Sequence, residues 1–278
     1  MSTITINRAA GPARPRPGAV AARLVSAEFL KVRKRRGLAA LTALLTVGAV
    51  VFAGGVLAVL HAAEPAKYGA AGGLGNLANA AYIMSALGAV AAVLVGATMG
   101  AGDLQAGVFR DLVATGRSRL ALFTARIPGG LALLWPLVAA SWAAACAGSV
   151  LLAGSHPRPG VAVMIEGGLW ALLAATVSYL MALGLASLAG SRSAIVATLL
   201  AWQFALTPLA LRVSKLGVLR EGLLTAGLDR MIPAGLLPGA RPDPVSPHMS
   251  VMLAAAVITV WAIIPLAAGA WRTCTRDA

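Results

Sequence analysis

An all-α polytopic membrane protein with six transmembrane helices is predicted by three features of the sequence. Mean hydropathy is +0.84, only 12% of the 278 residues are charged, and six apolar runs are long enough to cross a bilayer. They are 38–60, 81–101, 128–153, 167–189, 193–211 and 250–270, and none holds a Lys, Arg, Asp or Glu in its interior. A hydrocarbon core about 30 Å thick takes about 20 apolar helical residues. A Lys or Arg at mid-span would cost about 2.5–3.5 kcal/mol on insertion. Backbone groups in lipid have no water to bond, so the runs must be helices.

The chain divides into a basic arm, 1–22, and a single six-helix unit, 23–278. The arm is Pro-rich and lacks the apolar core and cleavage site of a signal peptide, so it reads as disordered. Leu24, Val25, Glu28, Phe29 and Val32 then fit an amphipathic helix lying on a membrane surface. The run KVRKRR, 31–36, abuts the first span. The second span carries Gly88, Ala92, Gly96 and Gly100 at intervals of four, a stripe that lets another helix approach closely. Packing within one bundle is the simpler use of that stripe; a seam between two copies is the other.

Between the second and third spans lies GAGDLQAGVFRDLVATGRSRLALFTARI, 100–127. On a helix beginning near Asp103, residues Leu104, Val108, Phe109, Leu112 and Val113 share one face. Asp103, Gln105, Gly107, Arg110, Asp111 and Ala114 take the other. Asp103 suits the positive end of the helix dipole, Thr115-Gly116 can stop the helix, and Ser118 can cap the next. The fifth span is the shortest and holds Gln203, Thr207 and Pro208. After it, 212–249 begins amphipathic (Leu216, Leu219, Leu223, Leu224, Leu228, Met231) and ends in RPDPVSPH. That pattern fits an interfacial or partly re-entrant helix followed by an irregular turn.

Six spans place both termini on one side. That side holds nine basic residues before the first span, four in the 102–127 segment, Arg192, and Arg272 and Arg276, against seven on the other. The positive-inside rule makes the terminal side cytoplasmic. The net charge of +14 is explained by these topogenic residues and by attraction to anionic lipid, with no nucleic-acid partner expected.

The chemistry of a self-contained engine is missing. No glycine is followed by lysine, so there is no phosphate loop. His61, His156 and His248 fall outside the spans and read as solvated loop residues, and Cys146 and Cys274 form no metal or disulfide motif. No catalytic, cofactor or metal site is expected. Gln203 is the most polar side chain inside a span; it can line a substrate path or make an interhelical hydrogen bond. A chain that moves something without ionisable groups at membrane depth needs a separate energy source.

At this point the sequence resembles the ABC-2-type permeases, membrane subunits of type-2 ATP-binding-cassette exporters, over nearly its whole length. AEFLKVRKRRG is similar to that family's E-x-x-K-x-R lead-in. In the 102–127 segment Asp103, Gly107, Arg110, Arg117 or Arg119, and Arg126 fall on the positions of E-x-x-x-G-T-x-R-x-x-L with its later basic residues, and Leu112 stands one place before its leucine. Asp103 replaces Glu, Val108 replaces Thr and Arg126 replaces Lys. The closing WRTCTRDA resembles the family's basic tail. The resemblance implies a cytoplasmic surface helix before the first span and a coupling helix between spans two and three, with external helices before span six. It also implies a second permease subunit, identical or different, and two cytoplasmic ATPase subunits that hold the ATP and Mg. The residues facing the ATPase would be Asp103, Gly107, Arg110, Asp111, Arg117 and Arg119, in a multi-pass protein of a bacterial plasma membrane. The other readings are a non-transporting scaffold or immunity protein, and a membrane-embedded enzyme needing catalytic polar groups in the bundle. A neighbouring gene for a phosphate-loop ATPase would favour the exporter subunit.

Overall fold

The structure, a computed structural model, describes residues 17–114, 116–236 and 249–276. Residues 1–16 of the arm, Thr115, the RPDPVSPH turn with Arg241 and His248, and the last two residues lie outside the described set. Among the described residues the chain is helical with no strand. A surface helix, α1 (Pro17–Lys34), precedes the bundle. Residues 17–22, expected in a disordered arm, already belong to it; Pro17 at its first turn has no N–H to leave unsatisfied.

Among the described residues six helices are long and apolar enough to cross a membrane: α2 (Arg36–Ala63), α3 (Leu74–Gln105), α5 (Arg119–Leu151), α6 (Val161–Ala189), α7 (Arg192–Arg212) and α9 (Val251–Thr275). Each matches one expected run, although the third run passes the end of α5 and the sixth begins just before α9. Between α3 and α5 lies the short α4 (Phe109–Ala114), and before α9 lies α8 (Leu224–Arg230). Serine side chains start three of the long helices. Ser118, Ser191 and Ser250 accept hydrogen bonds from the backbone N–H groups of Ala121, Ala194 and Leu253.

Helices α3 and α6 form the centre. About two thirds of their apolar windows are buried, 61% and 67%, against 11% for α2 and α7. The stripe on α3 explains the intimacy. A Cβ added to Gly96 would stand 2.4 Å from the Tyr179 carbonyl, and one on Gly100 2.5 Å from that of Leu183. Ala92 is fully buried. Gly88 has open space around an added Cβ, so three of the four stripe positions make the seam. It lies within one chain. On its other side α6 meets α9, where Gly184 and Gly269 let the backbones touch.

Three spans contain a π turn: Leu44–Gly48 in α2, Met84–Gly88 in α3 and Trp202–Leu206 in α7. Such turns leave a carbonyl outside the regular ladder. In α2 the Thr46 carbonyl accepts from the buried Ser141 hydroxyl of α5 at 3.0 Å. In α7 the cause is Pro208, which has no N–H to return to the fourth residue before it.

The start of α5 and the end of α9 meet, since the Arg119 guanidinium donates to the carbonyls of Cys274 and Arg276. Lys31 of α1 reaches Asp103 at the end of α3. Both described ends of the chain therefore share one end of the bundle, the termini face. On the opposite face, the segment before α9 is broken and does not form the single amphipathic helix expected. A 3-10 stretch, Ser214–Gly222, is interrupted at Gly217 and followed by α8.

Candidate functional site

The 102–127 segment is built differently from a helix starting at Asp103. α3 runs on through Asp103 to Gln105, and Gly107 ends it with φ of +71°, a left-handed conformation that suits glycine. The short α4 then forms, and Ser118 caps α5. Asp103 therefore sits in the last turn of a spanning helix, buried at 7% exposure. The expectation that it shares an exposed charged face with Arg110 is corrected. The sequence pattern reads Asp103 as the start of a separate helix, but its partner lies on the next span.

That partner is Arg126, about two turns inside the capped start of α5 and only 1% exposed. Its Nη2 donates to Asp103 Oδ2 at 3.0 Å and its Nη1 to the Gly100 carbonyl at 3.3 Å. Lys31 Nζ donates to both Asp103 oxygens at 3.0 Å and pairs with Glu28 Oε1 at 2.6 Å. Two acids and two bases thus form a neutral cluster joining α1, α3 and α5. Burial of unpaired charge is costly, so each member requires the others. Burial raises the Glu28 carboxyl above its ordinary 4.5, with Lys31 opposing the shift. Arg126 Nε is buried without a hydrogen-bond partner among the described residues.

Two adjacent glycines make room for the cluster. A Cβ on Gly129 would stand 2.6 Å from the Glu28 Cβ, blocking α1. One on Gly130 would stand 2.2 Å from the Tyr179 hydroxyl, which donates to the Arg126 carbonyl at 2.6 Å. Ser187 of α6 adds a bond to the Gly100 carbonyl at 3.2 Å. Every helix meeting here is thereby tied at one point.

The remaining sequence-predicted residues separate into two groups. Asp111 and Arg117 are exposed beside α4. Arg119 is half-buried and occupied with the end of α9, where its charge suits the carbonyl-rich terminus. The backbone of Arg110 belongs to α4, and its side chain lies outside what is described. Sequence reasoning missed Gly129, Gly130 and Tyr179, and it noted Glu28 and Lys31 for the surface helix and the lead-in without pairing them to Asp103.

A second feature lies in the half of the bundle away from the termini face. A cavity of about 320 Å³ is walled by α3 (Tyr82, Ser85, Ala86), α6 (Trp170, Ser178, Met181) and α7 (Trp202, Gln203, Phe204), and roofed by α8. The roof is held by indole N–H groups. Trp170 donates to the Leu228 carbonyl and Trp261 to that of Gly222, each at 2.9 Å. The π turn in α7 brings three consecutive side chains onto one cavity wall, including Gln203. Another hollow, of about 290 Å³ between α2, α3 and α5, is lined mainly by Ala, Gly, Val and Leu. Among the described residues no group of three or more His, Cys, Asp or Glu is placed to hold a metal ion. No protein-family model matches the chain, and no curated protein is significantly similar to it.

Proposed function

We propose that this chain is the membrane subunit of an ATP-driven exporter of the ABC-2 type, forming the substrate path and moved by a separate cytoplasmic ATPase. The observation that carries this reading is the neutral cluster. Its members come from the two stretches on which the resemblance rests: Glu28 and Lys31 from the lead-in, Asp103 and Arg126 from the 102–127 segment. Residues 72 and 23 positions apart meet within hydrogen-bond distance. Such a junction suits a mechanical role. A push on α4 and its flanking turns would reach α1, α3 and α5 together, because paired buried charges resist separation. The cavity on the opposite half, with Gln203 on its wall, is the natural place for cargo to dwell.

In this reading the termini face is cytoplasmic and the membrane is that of a bacterial cell. Two ATPase subunits supply ATP and Mg, and a second permease subunit, identical or different, completes the path. ATPase contacts fall to the exposed Asp111 and Arg117 with the neighbouring Gly107 and Arg110. Asp103 and Arg119 hold the frame behind them. The test is purification of the tagged chain from native membranes under mild detergent. A phosphate-loop ATPase should co-purify, while the isolated chain should hydrolyse no ATP. Exchanging the exposed charges, Asp111→Arg with Arg117→Glu, keeps the net charge and leaves the buried cluster intact. Like-charge contacts at an interface cost several kcal/mol, so ATPase recovery should fall at least about tenfold. Recovery of the chain without any ATPase, or unchanged recovery in the exchanged variant, would defeat the reading.

A further inference from the structure

We infer that the cavity between α3, α6 and α7 binds an uncharged, ring-containing amphiphile bearing hydroxyl or N–H donors. Calling that ligand the cargo rests on the exporter reading, whereas the binding itself does not. The size is at the lower end of the roughly 300–1,000 Å³ typical of small-molecule sites. The walls are aromatic on three sides, from Tyr82, Trp170, Trp202 and Phe204. Flat rings pack favourably against such surfaces.

Charge selects against ionic ligands. No lysine, arginine or histidine lines the cavity among the described residues, so nothing compensates a phosphate, sulfonate or carboxylate. The one carboxylate, Asp229 at the roof, already has an interaction of its own.

Two of the four lining hydroxyl residues have a fixed hydrogen-bonding sense, while Tyr82 and Thr225 bring hydroxyls that can donate or accept. Ser85 donates to the Tyr82 carbonyl at 2.8 Å and Ser178 to the Ala174 carbonyl at 2.9 Å. With their protons committed, both oxygens can only accept from a ligand in the cavity that their residues line. Gln203 adds a carboxamide that both accepts and donates. The Trp170 N–H is occupied by the roof. A ligand that donates along one edge and is apolar elsewhere satisfies this arrangement, and a pure hydrocarbon chain does not.

The test uses the full chain in nanodiscs without ATPase and two probes with the same ring skeleton. N-phenyl-1-naphthylamine is uncharged with one N–H; 1-anilinonaphthalene-8-sulfonate adds an anionic group. Energy transfer from protein tryptophan to the probe is titrated. Transfer to the uncharged probe should saturate, and the sulfonate should bind at least about tenfold more weakly. Ala86→Phe, which fills the cavity from a half-buried position, should weaken binding at least about tenfold. Ser85→Ala, which removes one acceptor without changing size, should weaken it about threefold. Ala256→Phe, on the exposed side of α9, should change nothing. Non-saturating transfer, equal binding of both probes, or unchanged binding in Ser85→Ala and a folded Ala86→Phe would each overturn the inference. If Ala86→Phe does not fold, the probe pair and Ser85→Ala decide. The exporter reading is judged separately by ATPase co-purification, so either idea can fail alone.

Discussion

Arg126 shows how one side chain can set the terms for its neighbours. At 1% exposure its guanidinium has Asp103 as its anion and Gly100 as a carbonyl acceptor. Asp103→Asn leaves that cation without a counter-charge, and breaking a buried pair typically costs about 3–5 kcal/mol. The purified variant should unfold at clearly lower temperature than wild type. Replacing both partners, Asp103→Leu with Arg126→Met, removes the pair and should recover much of the loss. If the double variant is no more stable than Asp103→Asn, the cluster is not a closed electrostatic unit. Glu28→Gln belongs in the same series and should also lower the unfolding temperature, though by less than Asp103→Asn, because burial offsets part of what the Glu28 carboxylate gains from Lys31. None of this pairing was legible in the sequence. An aspartate after an apolar run reads as the first residue of a separate surface helix, and only the fold brings Lys31 and Arg126 to it across 72 and 23 residues.

At the scale of elements, legibility followed the period of the chemistry. All six spans were readable because hydropathy acts locally and over about 20 residues. Most of their ends shifted outward, since helices extend past the apolar run into polar turns; α5 begins at Arg119, well before the expected 128, though it stops at Leu151, short of the expected 153. The π turns were not readable, although Pro208 was the available clue for one of them. The stripe on α3 was legible as a pattern but not as an assignment of partners. That assignment makes its own prediction. Gly96→Ala places a methyl 2.4 Å from the Tyr179 carbonyl, and Gly88→Ala meets nothing within 4 Å. Overpacking of this kind costs about 1–3 kcal/mol, whereas alanine in an unobstructed helix gains about 0.5–1 kcal/mol over glycine. Thermal unfolding should therefore fall for Gly96→Ala and hold or rise for Gly88→Ala. The same loss at both positions would mean that the space beside the buried Gly88 is filled and the close seam extends to it.

For the whole molecule, the charge cluster and the roofed cavity lie at opposite ends of the bundle, so orientation determines what each can meet. The basic residues are concentrated at the termini face: among the described residues, 13 of the 19 lysines and arginines belong to segments at that end. The membrane potential and anionic lipid retain such charge in the cytoplasm. A cytoplasmic ATPase would then meet α4, and the cavity would open toward the outside. Two cysteines allow a direct test. Cys274 is exposed near the end of α9, while Cys146 is only half-buried within α5. Ser155, exposed in the turn between α5 and α6, accepts a cysteine without touching the packed core. The neighbouring Ala71 is buried at 8% exposure and would report packing instead of sidedness. In intact cells a membrane-impermeant maleimide should label Ser155→Cys in a Cys274→Ser background. Native Cys274 should react only after the cells are permeabilised. Labelling of Cys274 in intact cells, with Ser155→Cys protected until permeabilisation, would invert the molecule. The cluster would then face outward, beyond the reach of any cytoplasmic ATPase, and the exporter reading would fail with it.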